Sequence, residues 1–113
     1  MPVDDNWHVR TTEIEGAPVI ELRGDVDLDT VTLVRDALDR ACATGRSFSV
    51  DVAGVTFIDS SVLQALLRAL RAQRAAGLDM TILRPSPAVM RVLEMMGLRP
   101  MVAIDTDPPH AGG

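Results

Sequence analysis

The chain has 113 residues, enough for one domain that buries about two-thirds of its unfolded surface. With 47% hydrophobic and 24% charged residues, its composition is that of a folded globular chain and excludes disorder. The net charge is −5 and all eleven basic residues are arginine, which argues against nucleic acid and anionic lipid as partners.

No apolar run approaches the ~18 residues of a membrane-spanning helix, and the start, MPVDDNWHVR, lacks the apolar stretch of a secretory signal. Cys42 is the only cysteine, so no disulfide framework or thiolate metal cluster is expected. These features fit a cytoplasmic protein, a reducing setting for a lone thiol. His8 and His110 lie near opposite ends of the sequence, which argues against a metal site or a histidine-activated nucleophile.

Residues 1–6 are polar and read as a flexible N-terminus, 7–104 as the domain, and 105–113 as a flexible tail. Trp7, Val9 and Thr11 alternate with His8, Arg10 and Thr12, the period of a half-buried strand. Glu15-Gly16 offers a tight turn into a second strand, Val19 to Arg23, ending at Gly24. The spacing of Val31, Val34, Leu38 and Ala41 predicts a helix, started by Asp29 or Thr30 and stopped at Gly45. Phe48, Val50 and Val52 predict a third strand, followed by a short apolar connection, Ala53 to Ile58.

Asp59-Ser60-Ser61 opens a second helix with a stripe of Leu63, Leu66, Leu67 and Leu70, ending at Gly77. Leu78, Met80 and Ile82 make a fourth strand. Ser86-Pro87 starts a third helix carrying Val89, Val92, Leu93 and Met96 up to Gly97, and Met101 to Ile104 fits a last short strand. The expected architecture is a single α/β domain. Its mixed sheet has four to five strands with an N-terminal hairpin, and three to four helices pack mainly on one face, joined by right-handed crossovers.

The informative segment is Val52-Ala53-Gly54-Val55-Thr56-Phe57-Ile58-Asp59-Ser60-Ser61. It sets one carboxylate and two hydroxyls at a strand-to-helix junction, where the helix N-terminus has unpaired amides and favours an anion. A phosphoserine there adds about −1.5 to −2 charge, which the helix tolerates and a docked partner does not. Asp59 or Ser60 also suits simple helix capping, and one residue can serve both ends.

Asp59-Ser60-Ser61 between an apolar strand and a leucine-rich helix resembles the signature of STAS domains, and within them the bacterial anti-sigma factor antagonists. Leu22-Arg23-Gly24-Asp25-Val26-Asp27 resembles the family's glycine–acid–apolar–aspartate step. Ser86-Pro87-Ala88-Val89 with Arg91, Leu93, Gly97 and Leu98 resembles its third-helix segment. The likeness runs from about Trp7 to Ile104.

The resemblance implies a protein that is not an enzyme and needs no cofactor. The unphosphorylated antagonist binds an anti-sigma factor, itself an ATP-using serine kinase, and frees the sigma factor. Phosphorylation at the position of Ser60, with Ser61 second, switches binding off, and a phosphatase restores it. Asp25, Asp27, Asp59, Ser60, Ser61 and Val62 are the implied partner-binding residues. Val62 departs from the family, which has glycine there; a β-branched side chain prevents close backbone approach. Neither nucleic acid nor membrane insertion is implied, and a monomer or weak dimer is expected. The alternative is a STAS subunit that binds the ATPase of a lipid-transport ABC system, or another partner, without phosphorylation.

Asp25, Asp27 and Asp29 have the spacing of a divalent-metal loop, but the distal glutamate of such loops is missing, so they read as a solvated turn. Two acids with so few aromatic residues do not make a glycosidase cleft. Met90, Met95, Met96 and Met101 read as core filler, and Arg68, Arg71 and Arg74 as a solvated helix face.

Overall fold

The computed structural model describes residues 8–105. Strand β1 (Val9–Ile14) turns through Glu15-Gly16 into β2 (Ala17–Val26), and the two pair antiparallel from Val9–Leu22 to Ile14–Ala17. Helix α1 (Val31–Ala43) leads to β3 (Phe48–Ile58), α2 (Ser60–Ala75) to β4 (Met80–Leu83), and α3 (Pro87–Met95) through a short 3-10 turn to β5 (Ala103–Asp105). The five strands lie in chain order, with β2, β3, β4 and β5 mutually parallel. The three helices pack on one face of the sheet, as crossovers of the usual right hand that all advance in one direction require.

That face holds the core. Ile20 and Leu22 of β2, Val50 and Val52 of β3, and Met80 and Ile82 of β4 pack with Val34 and Leu38 of α1, Leu66 and Leu70 of α2, and Val89 and Leu93 of α3. The other face is more polar and carries the Arg10–Glu21 ion pair at 2.7 Å. There Asp51 is buried and pairs with Arg84, while its Oδ1 accepts from Ala53 N at 3.0 Å.

The caps follow local chemistry. Ser86 accepts from Val89 N at 3.3 Å, with Pro87 in the first turn where no amide is needed. Thr30 begins α1, yet its hydroxyl turns back, accepting from Asp27 N and donating to Asp27 O, both at 2.9 Å. Cys42 is half-buried in a groove between α1 and α2, and burial with nearby Asp39 pushes its thiol pKa up.

Three expectations need correction. Met95 and Met96, at the C-terminal end of α3, are not core filler but stand exposed. The second strand does not end at Gly24, and Ala53–Ile58 is not a connection: both segments belong to the sheet. Arg23 pairs with Gly54, Gly24 with Val55, Asp25 with Phe57 and Val26 with Ile58. The pairing slips between Glu21 and Arg23 and again between Gly24 and Asp25, so β3 spends two more residues than β2 over the same ladder. Gly24 lies between these slips at φ +77°, a conformation that L side chains avoid. A Cβ on it would stand 3.2 Å from His8 Nδ1, which itself lies 3.0 Å from Arg23 O. Trp7 lies outside the described residues, as does most of the expected tail.

Candidate functional site

The long β3 delivers the site. Its last residue, Ile58, reaches the end of β2, and Asp59 N donates to Val26 O at 2.9 Å. That bond fastens the start of α2 to the start of the β2–α1 loop. Asp25 and Asp27, Asp59, and Ser60 and Ser61 are thereby gathered at one end of the parallel strands, the end at which α/β sheets commonly present binding groups.

Asp59 is the N-cap of α2. Its Oδ2 accepts from Ser61 N at 2.9 Å and from Ser61 Oγ at 2.6 Å. These two bonds hold its carboxyl below the usual carboxylate range. Asp59 O accepts from Val62 N and Leu63 N, each at 3.1 Å. Three of the four leading amides of α2 are therefore bonded to Asp59, and the helix end is not the open anion seat that the sequence suggested.

The two serines are in different situations. The Ser61 hydroxyl is half-buried and committed to Asp59. Ser60 is exposed, and no hydrogen bond involves its hydroxyl among the described residues. Asp25 is exposed and held by Thr56 Oγ1, which donates to its Oδ1 at 2.7 Å. Asp27 Oδ1 accepts from Asp29 N at 3.0 Å, which orders the loop internally. Among the described residues no group of three or more His, Cys, Asp or Glu side chains could hold a metal.

Val62 does not belong to this surface. Its side chain is fully buried in the main core, because its position is one helical turn from Leu66 and adjacent to Leu63 in the apolar stripe of α2. An expected partner contact through this side chain is thus corrected to a core contact. Three residues that the sequence reading did not assign do line the same end of the sheet: Thr56, Phe57 and Leu28. Phe57 is 50% exposed and Leu28 68%. The available signal was a phenylalanine and a leucine that fit neither alternation nor a helical stripe.

The class this defines is a small α/β domain that presents at a strand-to-helix junction an exposed serine, Ser60, whose hydroxyl has no partner among the described residues. The chain belongs to the STAS_2 family, described as "Mlab, STAS domain", whose model matches residues 9–103. No curated protein sequence matches it.

Among solved structures the chain is similar to the anti-sigma factor antagonist SpoIIAA in its unphosphorylated form. The identity is 25% and the TM-score 0.74, covering 88% of this chain and 89% of that one. It is also similar to proteins described as anti-sigma factor antagonists from Thermotoga maritima and Mycobacterium paratuberculosis. Each is 18% identical and matches 88% of this chain, covering 86% and 85% of the other chain with TM-scores of 0.73 and 0.74. At that identity these two show the fold alone. Among the described residues no helix is long and apolar enough to cross a membrane.

Proposed function

We propose that this chain is an anti-sigma factor antagonist that docks on an anti-sigma factor serine kinase through the β2/β3 end of its sheet, frees the sigma factor, and is switched off by phosphorylation of Ser60. The observation that carries this reading is the contrast between the serines: Ser60 offers an exposed, uncommitted hydroxyl, whereas Ser61 is bound to Asp59. Transfer of a phosphoryl group to Ser60 Oγ releases the hydroxyl proton and leaves a phosphomonoester. The nucleotide and its magnesium belong to the kinase.

The added charge, about −1.5 to −2 at neutral pH, falls on an edge that already carries Asp25, Asp27 and Asp59. Three of the four leading helix amides that could neutralise it are occupied by Asp59. The phosphate thus enlarges an unneutralised negative patch without requiring the fold to move, and a partner pressed against Ser60 is expelled.

The test is a pull-down from the native cell with wild-type and Ser60→Asp protein, with mass spectrometry of the partners and of Ser60. A serine kinase retained by the wild type and lost by the variant is the expected result. Equal retention of every partner by both proteins, with Ser60 unmodified, refutes the switch.

One observation favours a second reading. The matching family carries the Mlab description, and Val62 fills the core where the antagonist motif has glycine. In that reading the same edge is a permanent contact with an ABC transporter ATPase. Co-purification of such an ATPase, unaffected by phosphatase treatment, would distinguish it.

A further inference from the structure

Leu28 and Phe57 are large apolar side chains left in water at the edge that carries Ser60. The other phenylalanine, Phe48, is 2% exposed, and every large aliphatic residue of β2 and β3 on the helix-covered face is buried. Phe57 precedes Asp59 by two residues and Leu28 follows Val26 by two, so both flank the Asp59 N–Val26 O bond. The β3 slip puts Phe57 opposite exposed Asp25 in the ladder, away from the core.

The surround is charged and ordered. Asp25, Asp27 and Asp29 lie along the β2 side, two of them fixed by the Thr56 and Asp29 hydrogen bonds. Ser60 lies on the β3 side, three residues after Phe57. Two exposed apolar side chains, one of them aromatic, at an edge bearing polar and acidic groups have the composition of an interface hot spot.

Resting on the reading that this edge docks the anti-sigma kinase, we infer that Phe57 and Leu28 are its apolar anchors. The partner offers an apolar socket to Phe57 and Leu28, and arginine or lysine to the Asp25–Asp29 side.

The experiment uses the kinase captured by the wild-type chain, purified and titrated calorimetrically with wild-type protein and the Ser60→Asp, Phe57→Ala, Leu28→Ser and Asp27→Asn variants. Thermal unfolding of each variant confirms that it folds. Phe57→Ala is expected to weaken binding by at least about 30-fold, the range of a hot-spot truncation, with a smaller loss for Leu28→Ser. Asp27→Asn is expected to reduce the salt dependence of binding.

If Ser60→Asp abolishes binding while Phe57→Ala stays within about threefold of wild type, the docking edge stands and the anchor assignment is overturned. If Ser60→Asp and Phe57→Ala both bind as wild type, or if no kinase is captured, the proposed function falls and the anchors with it. If sedimentation shows the wild type to be a dimer that Phe57→Ala dissociates, the occupant is a second copy and the inference is overturned.

Discussion

Replacing Val62 by glycine, the residue that antagonist motifs carry after the two hydroxyls, separates a core role from a surface role. The Val62 side chain is fully buried among the residues of the main cluster, so the substitution strips its whole isopropyl group from the core. Losing a buried valine side chain costs about 1.5–3 kcal/mol. Glycine in place of valine inside a helix adds about 0.4 kcal/mol. At roughly 4 °C per kcal/mol for a domain of this size, the sum corresponds to a fall in Tm of about 8–14 °C. Circular-dichroism melts and urea titrations measure it, with an unchanged m-value showing that the same surface unfolds. A fall of less than about 4 °C would mean that the side chain is not part of the core, and the placement of α2 on β3 would need revision.

Other outcomes follow from the hydrogen bonds. Ser61→Ala removes the hydroxyl donor to Asp59, so the Asp59 pKa should rise toward the ordinary carboxylate value, read by NMR titration of the carboxylate carbon. A carboxyl depressed in the folded state stabilises the protein above its unfolded pKa, and that stability is lost as pH falls through the folded value; the variant should lose less over that acid window. An unmoved Asp59 titration contradicts the Ser61 hydroxyl bond to Asp59, the backbone cap being kept in the variant. Gln73 is 2% exposed, and its Nε2 donates to Arg46 O at 2.9 Å and Asp79 O at 3.0 Å. Gln73→Leu removes both bonds and strands the Arg46 carbonyl, while Asp79 O keeps Phe48 N at 3.2 Å; it should cost about 1–3 kcal/mol in urea unfolding, with partner affinity unchanged because the site is at the other end of α2.

The parts of the fold that were legible in the sequence are those where one period runs uninterrupted. The Val31–Ala41 and Leu63–Leu70 stripes and the Phe48–Val52 alternation each describe one face of one element. The second half of β3 was illegible because its slips break the alternation: Ala53 and Gly54 are both exposed, as are Thr56 and Phe57. Pairing with β2 makes this a strand, and that partnership is written in no local pattern. The order of residues left the cap open between Asp59 and Ser60; the structure gives it to Asp59, whose carboxylate folds back on the amide two residues on, and which serine hydroxyl stays uncommitted depends on that choice. Val62 was placed at the surface by its position in a motif, although its spacing from Leu66 and Ala69 put it inside. Helical geometry and motif alignment disagreed there, and geometry prevailed.

Spatial strand order that copies chain order has a kinetic consequence. Each parallel pairing joins consecutive strands: Ile20 meets Val50, thirty positions on, and Val50 meets Ile82, thirty-two positions on. No pairing has to wait for a distant partner, and the last, Ile82 with Ile104, closes a shorter ring of twenty-two positions, so the closure entropy is met in small, comparable steps. The ladder can grow from the N-terminal hairpin as the polypeptide emerges from the ribosome, strand after strand. The groups around Ser60 come from β2, the β2–α1 loop, the end of β3 and the first turn of α2. The edge that carries Ser60 is therefore encoded in the first two-thirds of the described chain, ahead of β4, α3 and β5, whose apolar side chains complete the core.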